Sequence, residues 1–124
     1  MKKIIVIVFL CFTGWEAMAG SNGNQGSRVE NLGRGMKKVT WFYDNGQVAE
    51  EGFYLGAKKT GTWTSFDEKG NKLAVMTWNQ DRKDGNCYVM HKNGKVKYHV
   101  VYSNNKKVMT YEWDESGTLL GNQK

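Results

Sequence analysis

Cys87 and His91 are the chain's one close pairing of a thiol with an imidazole, the combination that nucleophilic catalysis draws on. A base must stand within about 3 Å of the nucleophile it activates. Four residues along a strand puts two side chains on one face but about 13 Å apart, at about 3.3 Å per residue. The pair therefore reads as structural, with Cys87 a small core residue. His91 and His99 are the next candidates, as metal ligands. The expected register puts them on opposite faces, and no second cysteine or nearby carboxylate pair completes a ligand set. Glu50-Glu51 and Asp67-Glu68 are acidic pairs, and Asp81 and Asp84 flank a basic pair. Neighbours on a strand point to opposite faces, so Glu50 and Glu51 cannot share a proton or a substrate. They read as solvated strand ends. No catalytic residue, metal or cofactor is expected, and the chain is not expected to be an enzyme.

Binding chemistry is better represented. The basic pairs Lys58-Lys59, Arg82-Lys83 and Lys106-Lys107 recur at steps of 24 residues. With two strands per repeat and strands about 4.8 Å apart, successive pairs would stand about 10 Å apart along one edge of a sheet. Two unit charges at about 10 Å in water repel by only about 0.4 kcal/mol before salt screening. A ladder this cheap does not by itself demand a ligand, and lysines in turns also guard a sheet against edge-to-edge aggregation. Two readings stay open: solvated turn chemistry, and a binding edge for an anionic partner. Aromatic residues make up 13% of the chain, and at the repeat period they are expected to stack as the core of an array. A sugar- or peptide-binding platform would use the same side chains.

The elements that must position these residues come from an internal repeat. Asn45-Gly46, Lys69-Gly70, Asn93-Gly94 and Ser116-Gly117 recur at steps of 24, 24 and 23. Tyr54, Trp78 and Tyr102 keep the 24-residue step, as do Trp63, Cys87 and Tyr111. Independent landmarks sharing one period mark a repeat array. Asn-Gly between alternating apolar runs is a hairpin signal, so each period should hold two strands and two turns, one of them at the basic pair. A two-residue loop at Asn93-Gly94 would pair Val89 with Tyr98, Tyr88 with His99, Cys87 with Val100 and His91 with Val96. One face then carries Cys87, Val89, His91, Val96, Tyr98 and Val100, together with Trp63, Met76 and Trp78, and reads as the core. The strand before Ser116-Gly117 is one residue shorter, so a bulge or shifted register is expected there. The fold class is all-β: a single twisted antiparallel meander of hairpin repeats of about 24 residues, three to four in number.

Residues 1–19 read as a signal peptide: Lys2 and Lys3, the apolar run Ile4 to Phe12, then Ala17-Met18-Ala19. That run falls far short of the roughly 20 residues that span a bilayer, so no transmembrane span is expected. Cys11 follows Leu10, where a lipobox needs a small residue. Cleavage after Ala19 would lower the net charge from +6 to +5 by removing Lys2, Lys3 and Glu16, and would leave Cys87 as the one cysteine. A basic exported protein can meet anionic lipid or cell-wall polymer, and nucleic acid is not an expected partner. Residues 20–35, rich in Gly, Asn and Ser, read as a flexible leader, and 36–124 as the repeat domain.

Trp41-Phe42-Tyr43-Asp44-Asn45-Gly46, followed by Glu51-Gly52-Phe53-Tyr54-Leu55-Gly56-Ala57-Lys58-Lys59-Thr60-Gly61-Thr62-Trp63, resembles the bacterial variant of the MORN repeat. That pattern is an aromatic pair, an Asn-Gly turn, Glu-Gly-x-Tyr, a Gly-Lys-Lys-x-Gly loop and a Trp. The likeness covers about residues 36–121 and thins toward the C-terminus, where Gly61 and Gly85 give way to Met109. The resemblance implies an all-β hairpin array and a binding or scaffolding role. Some members are linked to membranes and anionic lipids, and some bacterial relatives are labelled antitoxins. The expected function is an exported, periplasmic or secreted, non-catalytic interaction module of the cell envelope, binding a protein or an anionic envelope component. The alternative is an immunity or antitoxin-like protein that occludes a protein partner. An exported chain fits that label poorly, because such antitoxins act in the cytoplasm.

Overall fold

β-branched and aromatic side chains, with no proline to remove a ladder donor, form strands along the described residues, 26–124 of the computed structural model. The expected signal peptide lies outside them. The strands are β1 (Ser27–Gly33), β2 (Met36–Phe42), β3 (Val48–Leu55), β4 (Lys58–Phe66), β5 (Lys72–Asn79), β6 (Arg82–Lys83), β7 (Gly85–Met90), β8 (Val96–Ser103), β9 (Lys106–Trp113) and β10 (Leu119–Gln123). They make one open antiparallel meander in chain order, with the short β6 pairing to β5 beside β7. Among the described residues, no helix is long and apolar enough to cross a membrane.

The sheet begins earlier than the repeat texture suggested. Ser27–Gly33 was expected in a flexible leader and is instead a strand, paired with β2 from Ser27↔Trp41 to Gly33↔Met36. Every residue of β1 is exposed. Composition was right that this stretch buries little; the backbone ladder along β2 orders it without burial. Gly33-Arg34-Gly35, with φ of 87°, 53° and 77°, supplies the left-handed conformations of the hairpin turn that joins the two strands. Tight turns then follow at Gly56-Ala57, Gln80-Asp81 and Asn104-Asn105. The array is therefore four tight-turn hairpins and a following strand.

The second set of turns differs from the expected two-residue loop. His91 N donates to Lys95 O at 2.8 Å and Gly94 N to His91 O at 3.0 Å, and the same pair of bonds closes Tyr43–Gln47, Asp67–Asn71 and Asp114–Thr118. Each is a three-residue turn whose last residue, a glycine, sits in the left-handed region with φ between 85° and 93°. Asn93 is not in that region; its side chain instead accepts from Lys95 N at 2.9 Å. The extra loop residue moves the register. Val89↔Tyr98, Tyr88↔His99 and Cys87↔Val100 pair as expected, but Val96 faces Met90 rather than His91.

One face of the sheet holds the core: Trp63, Ala74, Met76, Cys87, Val89, Tyr98, Val100 and Tyr102, with Trp41, Tyr54 and Trp78 packed against it. Its repeat logic is one of exchanged sizes. A side chain on Gly52 would run into the Trp63 ring, so the indole lies directly on the Gly52 backbone. One repeat on, Met76 replaces Gly52 and Cys87 replaces Trp63, with Cys87 Sγ against Met76 Sδ. Large meets small in both, in opposite order.

Which residues reach this face is set by bulges. Between Glu51↔Thr64 and Phe53↔Thr60 the register moves by two residues, at Gly61 with φ 67°. Between Val75↔Tyr88 and Trp78↔Lys83 it again moves by two, at Gly85 with φ 110°. A two-residue shift preserves facing. In the last hairpin Met109 stands where those glycines stood, and the shift between Val101↔Met109 and Tyr102↔Lys107 is one residue. One residue inverts every side chain beyond it. Tyr111, grouped by period with Trp63 and Cys87, therefore lies on the opposite face, stacked on His99 at 5.6 Å. The expected register shift is present, and this inversion is its consequence.

Candidate functional site

Lys58, Lys59, Arg82, Lys83, Lys106 and Lys107 stand where the 24-residue step placed them, along the edge of the sheet formed by the tight turns. They were expected within those turns. The turns are Gly56-Ala57, Gln80-Asp81 and Asn104-Asn105, and each basic pair opens the strand that follows. Asn and Asp tolerate the left-handed conformation, and these turns use it: φ is 68° at Asp81 and 71° at Asn105.

Starting a strand splits each pair between faces. Lys59 pairs with Tyr54, Lys83 with Trp78 and Lys107 with Tyr102, all on the core face. Lys59 Nζ stands 4.7 Å from the Trp63 ring centroid and 4.9 Å from that of Trp78, and Lys83 Nζ 5.4 Å from that of Tyr102. Cation–π attraction thus engages two of the six side chains in covering the core. Lys58, Arg82 and Lys106, all exposed, form a separate row on the other face.

Successive turns lock this edge together. Asp81 Oδ1 accepts from Lys59 N at 2.7 Å, and Asn105 Oδ1 accepts from Lys83 N at 2.8 Å. In return Asp81 N donates to Lys59 O at 2.9 Å and Asn105 N to Lys83 O at 2.8 Å. Arg82 Nη1 donates to Asn104 Oδ1 at 3.0 Å, which ties the guanidinium to the next turn. The row spacing is therefore held by backbone bonds. Asp81 and Asp84, read from sequence as solvated flanks, are parts of this lattice: Asp84 Oδ1 accepts from Asn104 N at 3.4 Å. The side-chain alternation of a strand could have revealed the split. The side-chain-to-turn bonds had no sequence signal beyond Asp81 and Asn105 lying 24 residues apart.

The chemistry first considered for Cys87 and the histidines is absorbed elsewhere. Cys87 is buried, and burial pushes its thiol up to about 11. His91 occupies the repeat position of Tyr43 and does the same work: Tyr43 OH donates to Phe66 O at 2.7 Å, while His91 Nε2 lies 2.8 Å from Trp113 O. His99 lies on the opposite face, with Nε2 2.8 Å from Asn86 Oδ1, and burial lowers its pKa below the ordinary imidazole value. Among the described residues no group of three or more His, Cys, Asp or Glu could hold a metal ion.

The family described as the MORN repeat variant matches residues 37–55, from Lys37 on β2 through the Asn45-Gly46 turn to Leu55 at the end of β3. The match supports MORN-repeat character over one hairpin, and the sheet carries that hairpin geometry onward. No curated protein matches the chain.

Proposed function

We propose that this protein is a non-catalytic interaction module, exported to the cell envelope, that binds an anionic partner along the basic edge of its sheet. One observation carries the anionic reading: Lys58, Arg82 and Lys106 recur on one face of one edge, at a spacing that turn-to-turn hydrogen bonds hold fixed. The spacing is two strands, about 10 Å. The opposite edge has no such row, since Asp67-Glu68 and Asp114-Glu115 alternate there with lysines. MORN-repeat character supports a repeat-based interaction role, and the Lys2 to Ala19 pattern supports export.

Elution from immobilised heparin tests the edge. Reversing Arg82 and Lys106 to Glu should lower the eluting salt concentration well below that of a Lys72→Glu, Lys92→Glu variant of equal net charge. Circular dichroism checks that both remain folded. Equal elution would mean that only net charge matters, and the row would reduce to strand-edge chemistry.

A further inference from the structure

The inverted register of β9 builds a surface that the repeat would otherwise lack. Tyr111 and Trp113 leave the core face and join Tyr88 and His99 on the far one. Ring centroids run 4.6 Å from Tyr88 to His99, 5.6 Å to Tyr111 and 5.9 Å to Trp113, with interplanar angles of 18°, 22° and 29°. All four are half-buried. At the same level β2, β3 and β4 carry Thr40, Glu51 and Thr64, so the aromatic strip belongs to β7–β9 alone.

Two further features lie on that face. Lys58, Arg82 and Lys106 form its basic margin, and Asn86, Val101 and Met109 fill the space between margin and strip. On β5 the strip level is Val75 and the margin level Asn79; on β8 they are His99 and Ser103. Four residues of strand separate the two rows, about 13 Å. An α-helix with its side chains is about 10–12 Å across. A helix laid over the strip, apolar side down, would bring one flank to Arg82 and Lys106.

We infer that the Tyr88–His99–Tyr111–Trp113 strip and the Arg82/Lys106 margin form one docking surface for an acidic amphipathic helix of a partner protein. The inference rests on the interaction-module reading above and names the partner's chemistry. Charge complementarity selects a carboxylate-bearing flank. The stacking argues against a sugar platform, because rings packed face to face present edges, whereas a sugar lies on an open ring face. Asp84, which Asn79 and Asn104 hold beside Arg82, would oppose a uniformly anionic bilayer but leaves a discrete partner free to avoid it.

Amide shifts of the full-length chain test this against three probes: an 18-residue amphipathic Leu/Glu helix, polyglutamate, and phosphatidylglycerol vesicles. The helix should bind about tenfold or more tighter than polyglutamate, with shifts centred on Tyr88, His99, Tyr111 and the Trp113 indole. Tyr111→Thr with Trp113→Thr should lose about tenfold in affinity, while Lys107→Ala on the core face should not. The shift map needs no variant and stands if the double variant fails to fold. Shifts centred on Trp41 and Trp78, or equal affinity for helix and polyglutamate, would overturn the docking surface while leaving the basic edge intact. Strip-dependent binding to vesicles but not to the helix would overturn it in favour of a membrane. Failure of every anionic probe would remove both readings.

Discussion

Cys87 is a cysteine for reasons of volume: Met76 has taken the space that a tryptophan fills one repeat earlier over Gly52. Its neighbours share its aversion to charge. Burial, first among the causes, raises the Tyr98 and Tyr102 hydroxyls to about 12, as it raises the Cys87 thiol to about 11. All three folded values lie above the ordinary ones, so the folded state holds protons that the unfolded chain would release. Their contribution to stability is fully present below about pH 9 and is lost as pH climbs toward 11–12. We therefore expect the denaturation midpoint to be flat between about pH 7 and pH 9 and to fall steeply above that window. Iodoacetamide labelling of Cys87 at pH 9 should be negligible in buffer and rapid in denaturant. Rapid labelling of the native protein would mean that Cys87 is not buried. Sequence alone made Cys87 a core residue by its place in the period. It could not show why a tryptophan position accepts a thiol, because the compensating change is 11 residues away and becomes a neighbour only through the register.

Strand pairing is where the period both informs and misleads. Steps of 24 residues located the turns and the core strands because each landmark (turn glycine, aromatic, basic pair) is fixed by a separate physical demand. Facing has period two, so a single bulge residue erases it without altering the step between landmarks. Tyr111 keeps its distance from Cys87 and loses its side of the sheet. β1 escaped for a different reason: its ordering rests on backbone pairing, which leaves no apolar alternation to read. The exchange of sizes across the core strands is open to direct test. Cys87→Trp alone should destabilise by about 1–3 kcal/mol or more through overpacking against Met76. Met76→Gly alone should cost about 2–5 kcal/mol by leaving a cavity at a buried site. The double variant recreates the Gly52–Trp63 arrangement, in which the Trp63 indole N–H donates to Phe53 O at 3.1 Å. The double-mutant cycle should show a favourable coupling of about 1–3 kcal/mol in urea melts. Additive losses would mean that the two sites are not equivalent to Gly52 and Trp63.

The described residues form one sheet without a second layer among them, so each hairpin draws its stability from its neighbours and its share of one core face. That share is uneven. The buried cluster runs from Trp63 on β4 to Tyr102 on β8. β1 is exposed along its whole length, and β10 is exposed apart from the half-buried Gln123. Val29 and Leu32 at one end, with Leu119 and Leu120 at the other, keep at least half of their surface in water. The clamps between turns are uneven too. Asn45 Nδ2 donates to Glu68 O at 2.8 Å and Asn93 Nδ2 to Glu115 O at 2.7 Å, tying the turn at 43–47 to that at 67–71 and the turn at 91–95 to that at 114–118. Lys69 stands at the matching place between those pairs and can offer no such amide bond. In a linear array, opening at an end breaks one interface, whereas opening at the centre breaks two and exposes the core. Amide hydrogen exchange under native conditions should therefore be graded along the sheet: fastest in β1, slowest in β5, β7 and β8. β9 should be intermediate, held by the His91–Trp113 and Asn93–Glu115 bonds. Asn93→Ala should raise exchange in β9 and β10 while leaving β3 and β4 unchanged, because the cut falls on one clamp. Uniform protection over all ten strands, or a response to Asn93→Ala that reaches β3, would mean that the array opens as a single unit and that its ends are not its weak points.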